Sequence, residues 1–175
     1  MRNFAKFFAL SLVALLGIGC ASQATHPTAQ SSTLGKRISH VRTTAYTHTE
    51  AGGRKNAIGS HLCGTNVKSA AADWSRWPLG TKFRIVGTDE VFQVDDYGGA
   101  LVGTSTIDLY KTNRLEMNKW GVRAVDIDVI AWGSPEKSMQ VLAPRARNPK
   151  VHAMISSLAK NAVGGKNTHL SPAFF

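Results

Sequence analysis

From Ser39 onward, apolar and polar positions alternate in short runs, the two-residue period of strands buried on one face. In HVRTTAY, Val41, Thr43 and Ala45 alternate with Arg42, Thr44 and Tyr46. The runs NVKSAAAD, TKFRIVG and EVFQVDD follow, rich in Val, Ile, Phe and Thr and bounded by Gly, Pro or acidic residues, and VDIDVIAW closes the series. Ile107-Asp108-Leu109-Tyr110 alternates too, sending Ile107 and Leu109 to one face and Asp108 to the other. Short strands joined by glycine-rich turns, with almost no helix between them, predict an all-β barrel or sandwich.

Two stretches have helical signals instead. Asn113 is placed to cap a short helix running to Trp120, with Glu116 three residues on and Gly121 to end it. Asn148 and Pro149 open a second helix, Val151, Met154, Ile155, Leu158 and Ala162 recur at its turn spacing, and Gly164-Gly165 stops it. This C-terminal amphipathic helix is expected to pack on the barrel; its polar face has few lysines for a membrane surface. In the last strand, Asp126 and Asp128 share the face opposite Val125, Ile127 and Val129 and are expected to be solvated. Trp74 and Trp77, at a strand entry beside Pro78, are expected in the core, with sugar stacking as the alternative.

The N-terminal end predicts export. Arg2 and Lys6 precede an apolar run from Phe7 to Ile18, too short for a bilayer that needs about 20 residues and proportioned like a signal-peptide core. Residues 1–24 are read as a signal peptide, cleaved after Ala24; the alternative is a lipoprotein signal over residues 1–19, with lipid on Cys20. Residues 25–38, polar and Ser/Thr-rich, are read as a linker without structure, 39–135 as the folded domain, and 136–175 as a C-terminal extension carrying the helix. The expected location is the bacterial periplasm, outer membrane or cell wall.

Charge narrows the partners. The chain has 21 Lys+Arg against 11 Asp+Glu, a net charge of +10, and losing Arg2 and Lys6 with the signal still leaves +8. Such a surface attracts anions: nucleic acid, acidic headgroups or a carboxylate-bearing wall. Export removes nucleic acid as the ordinary partner. Cys20 and Cys63 are the two cysteines; once Cys20 is removed or acylated, Cys63 has no intrachain partner and no disulfide framework exists. His61-x-Cys63 is the one close His/Cys spacing and has no second pair, so neither a zinc site nor any other cofactor is expected.

The acids are few and clustered. Asp95 and Asp96 end a strand before Tyr97-Gly98-Gly99, where little side-chain bulk lets a ligand approach a carboxylate, and Asp108 follows on the next strand. Two converging carboxyls on a β scaffold suit glycosidic cleavage, which needs one of them protonated at working pH; burial or a like charge raises a pKa in that way. The bland alternative is an Asp satisfying backbone N–H groups in a turn. His48 near Glu50 reads as a polar loop pair.

The run Asp96-x-Gly98-Gly99-Ala100-Leu101-x-Gly103, then Ile107-Asp108-Leu109-Tyr110 and Trp120-Gly121-Val122-Arg123, resembles the 3D domain, the family named for three aspartates. Upstream, Thr44-Ala45-Tyr46 resembles the family's opening strand, and Ala71-Ala72-Asp73 with Trp77-Pro78-Leu79-Gly80-Thr81 its first-aspartate segment. The likeness covers about Val41 to Trp132 and extends to the C-terminal barrel of membrane-bound lytic transglycosylase A. It implies a six-stranded double-psi β-barrel. It also implies that the named acids are Asp73, Asp96 and Asp108, with Asp108 as the catalytic acid/base, Asp96 beside it and Asp73 fixing a turn. Tyr46, Asp73, Tyr97, Gly98 and Gly99 are the expected substrate-binding positions. The implied function is lytic transglycosylase or related glycosidase action on peptidoglycan glycan strands. The rival is a non-catalytic glycan-binding module in the wall.

Overall fold

The computed structural model describes residues 35–50 and 52–164; the segment read as a signal peptide, Cys20 and the tail from Lys166 lie outside the described residues. Six strands close into a barrel: β1 (Arg37–Tyr46), β2 (Val67–Ala71), β3 (Lys82–Ile85), β4 (Val91–Asp96), β5 (Ile107–Tyr110) and β6 (Arg123–Ala131). Their order around the barrel is β1-β5-β2-β4-β3-β6. The β1–β5 and β2–β4 pairs are parallel and the other four antiparallel, so the all-β barrel expected from the alternation is a mixed one.

The core follows from the alternation. Ala45, Leu109, Ala70 and Val94 are register partners across β1, β5, β2 and β4, and the last three are fully buried. Phe83 and Phe92 stack 5.7 Å apart inside the barrel, beside Ile127 and Val129. Trp74 and Trp77 are buried in the same cluster.

The helix predicted at Asn113 is α1 (Arg114–Trp120), with the Asn113 side chain accepting from the Glu116 amide at 2.9 Å. A helix the periodicity did not predict, α2 (Pro135–Leu142), follows β6; Ser134 caps it and Pro135 supplies the pre-set φ of a first turn. It is tied to the barrel where the Ser138 hydroxyl accepts from the Leu79 amide at 2.8 Å. Gly133, between β6 and α2, passes so close to the 78–81 turn that an added Cβ would lie 2.2 Å from the Pro78 carbonyl oxygen. The C-terminal helix is α3 (Pro149–Gly164), whose Val151, Met154 and Leu158 join the hydrophobic cluster of the barrel.

Two expectations need correction. β1 begins at Arg37, inside the stretch read as linker, because Arg37 and Ile38 pair with Asp128 and Ile127 of β6. Asp128 is buried rather than solvated: Arg37 grips it with two donors at 2.8 and 2.9 Å, and that hydrogen-bonded guanidinium holds the carboxyl below its usual range.

Candidate active site

One register row lies next to the core row just described. Thr44 pairs with Asp108, Asp108 with Ala71, and Ala71 with Asp96, across β1, β5, β2 and β4. Successive residues of a strand face opposite sides, so this row turns away from the core that Leu109, Ala70 and Val94 fill. Neighbouring strands are about 4.8 Å apart, which puts the Asp96 and Asp108 backbones roughly 10 Å apart with a methyl group between them. Tyr46, Glu50, Ala71, Asp96, Tyr97 and Asp108 line a cavity of about 160 Å³ over this row.

A bulge arranges the acids. The β2–β4 register slips between Ala70 and Ala71, which pair with Val94 and Asp96, leaving Asp95 as the extra residue. Asp95 is buried, and its Oδ2 accepts from Ser69 Oγ at 2.7 Å and from Asn56 Nδ2 at 2.9 Å, while its Oδ1 has no partner. Asp96, one residue on, reaches the cavity. Its Oδ1 accepts from the Tyr97 amide at 2.9 Å, and the Tyr46 hydroxyl lies 3.5 Å from Oδ2. Asp108 Oδ1 accepts from Thr44 Oγ1 at 2.6 Å.

Burial dominates the electrostatics. It pushes the Asp96 carboxyl up to about 6, opposed by the Tyr97 amide and reinforced by the charge of Asp95. Burial also raises Asp108, opposed by the Thr44 hydrogen bond and helped by the charge of Glu50. Tyr46 is held as a neutral phenol, chiefly by burial and then by the charges of Asp96, Asp95 and Asp108. The site therefore offers carboxyls that keep protons above the ordinary carboxylate range, beside a hydroxyl that does not ionise.

The other expected site positions are divided. Gly98 lines the cavity; Gly99 is outside its lining. An added Cβ would meet only Leu101 side-chain atoms at 3.4 Å at Gly98 and Lys150 Cγ at 3.7 Å at Gly99, and neither residue has a positive φ. Their lack of a side chain is thus not demanded by internal packing. Tyr97 sets its ring edge-on to Trp74, centroids 5.2 Å apart. Asp73 is buried outside the cavity lining: Oδ1 accepts from the Ser75 amide and hydroxyl at 2.8 and 2.7 Å, and Oδ2 from the Gly103 amide at 2.7 Å. His48 sits 3.0 Å from the Tyr110 hydroxyl, while Glu50 lines the cavity.

Sequence reasoning missed Thr44 as the group that holds Asp108, and Ser69 and Asn56 as the partners of Asp95. Their pairing is set by strand neighbours and a loop 39 residues away, not by a local pattern. Among the described residues, no group of three or more His, Cys, Asp or Glu side chains is placed to hold a metal ion.

Asp95→Asn is expected to gain stability relative to the wild type as pH rises towards neutral, since an amide oxygen can keep both accepted hydrogen bonds without a buried charge, while its NH2 takes the unpartnered place of Oδ1 at a cost that does not depend on pH. Burial raises the Asp95 pKa in the folded state, so the wild type binds more protons folded than unfolded above the ordinary carboxyl range and loses stability as pH rises through that window. The variant's advantage should therefore shrink from pH 7 to pH 4 in urea melts; an advantage that grows on acidification would contradict this assignment.

No protein-family model matches the chain, and no curated protein matches its sequence.

Proposed function

We propose that this is an exported peptidoglycan-processing protein with a double-psi barrel, a lytic transglycosylase or closely related glycosidase in which Asp108 is the acid/base. The observation that carries the reading is the register row: Asp96 and Asp108 flank Ala71 and line one cavity. The resemblance of the surrounding segments to the 3D domain supports it, as does Gly98, a cavity-lining glycine that internal packing leaves free to admit a ligand.

In this mechanism the protonated Asp108 donates to the oxygen linking N-acetylmuramic acid to N-acetylglucosamine, and that bond breaks. The resulting carboxylate takes the proton of the muramyl 6-hydroxyl, whose oxygen closes on the anomeric carbon. Water is not consumed, and the product ends in a 1,6-anhydro sugar. Thr44 orients Asp108 by its short hydrogen bond, and Asp96 accepts from sugar hydroxyls and offsets positive charge on the anomeric carbon. The wall's peptide stems carry carboxylates, which suit the basic surface, and the C-terminal amphipathic helix braces the barrel.

Protein lacking residues 1–24 would be incubated with peptidoglycan sacculi and the soluble products weighed by mass spectrometry. Anhydro-ended muropeptides are expected. Reducing-end products would make it a hydrolase; co-sedimentation with sacculi and no released fragment would leave only a glycan-binding module.

A further inference from the structure

A second, larger cavity, of about 340 Å³, shares no lining residue with the acid cavity. Its floor is aromatic. Trp77 is buried and anchored by its indole N–H on the Ser105 carbonyl at 3.3 Å; Trp132 stacks on it at 5.9 Å and 14° and is 47% exposed. Trp132 is thus a flat apolar plate in a fixed orientation, open to solvent.

Around that plate stand Lys36, Arg42 and Arg76, and no acidic residue is among the lining residues. Neutral groups hold both guanidiniums: Arg42 donates to Thr106 Oγ1 at 3.1 Å, and Arg76 to Ser105 Oγ at 3.1 Å. Among the described residues, the ion pairs are Arg37–Asp128, Lys68–Glu90 and Lys111–Glu90, so none of these three cations is neutralised. The rim is also bent. Ser39 and His40 form a bulge opposite Asp126, and His40 takes a left-handed φ of 57°, with its amide donating to Asp126 Oδ1 at 2.9 Å. A non-glycine residue in that region is strained, and such strain concentrates at ligand sites.

We propose that this cavity is a binding site for a sugar ring bearing a carboxylate. The Trp132 plate fits the flat apolar face of a pyranose, the guanidinium forks fit a carboxylate, and the volume is at the lower end for small-ligand pockets. Choosing a sugar over a nucleotide rests on the export signal and hence on the reading above; the site itself does not depend on Asp108.

Calorimetric titrations of protein lacking residues 1–24 test it. The probes are a disaccharide of N-acetylglucosamine and N-acetylmuramic acid, a glucuronic acid oligosaccharide, neutral chitobiose, single-stranded DNA and anionic lipid vesicles. Either acidic sugar should bind at least about tenfold more tightly than chitobiose, and which of the two is preferred identifies the source of the carboxylate. Trp132→Ala and the double variant Arg42→Gln/Arg76→Gln, both on exposed side chains, should each lose that binding by about tenfold or more, while Asp108→Asn keeps it. Equal binding of chitobiose, indifference to Trp132→Ala, or tighter binding of DNA or vesicles would overturn the assignment. Loss of sacculus cleavage with acidic-sugar binding intact would sink the enzymatic reading and leave this one standing.

Discussion

Asp108→Asn is expected to lower release of anhydro-muropeptides from sacculi by at least about a thousandfold, at the upper end of what one acid/base group contributes. The amide retains an oxygen for Thr44 Oγ1, so thermal stability and sacculus binding should persist. On the proposed mechanism the donor in the wild type is the protonated carboxyl, and burial lifts the pKa of Asp108, so activity is expected to fall as pH rises through that raised value. Asp96, pushed up to about 6, adds a second titration to the profile. Asp96→Asn should remove that one, reduce turnover by about 10- to 100-fold, and leave the descent due to Asp108. Full activity in the Asp108 variant, or a wild-type rate constant from acid to alkaline pH, would end the proposal.

The second large effect is on folding. Asp73→Ala is expected to cost about 2–4 kcal/mol in urea melts, because it strips the acceptor from three donors, the Ser75 amide and hydroxyl and the Gly103 amide, in a buried place. The two Ser75 bonds close the turn after β2, and the Gly103 bond fastens it to the glycine loop 30 residues later, which leads into β5 and so into Asp108. Asp73→Asn keeps an acceptor for part of the network and should lose roughly half as much. Rates measured per folded molecule should stay within a few-fold of the wild type. A stable Asp73→Ala protein without activity would instead make this acid a substrate contact.

Much of the barrel was legible because each strand has its own two-residue period and its own turn residues: KFRI, VFQVDD and IDLY announce themselves locally. The start of β1 was not. Arg37 looks like part of a polar tether until its partner Asp128, 91 residues on, is in place. The same distance effect hid the character of Asp128, which alternation alone assigns to solvent. Asp96 and Asp108 stood out as acids among glycines, yet their placement on either side of Ala71 depends on a parallel pairing and a bulge, and neither leaves a trace in spacing. Helix α2 did have a signal, Ser134-Pro135-Glu136, but its eight residues are too few for periodicity to outweigh the strand pattern before it. The cationic cavity was illegible for a further reason: Lys36 and Arg42 at β1, Arg76 and Trp132 come from three separate segments and form no motif.

Closure of the barrel has a consequence for how the protein meets other chains. Every strand has a hydrogen-bonded neighbour on both sides, so the sheet offers no rim onto which a stranger's backbone can zip. Association with other proteins must then run through side chains and loops, and a basic chain can be concentrated along an anionic polymer without seeding strand-to-strand aggregates.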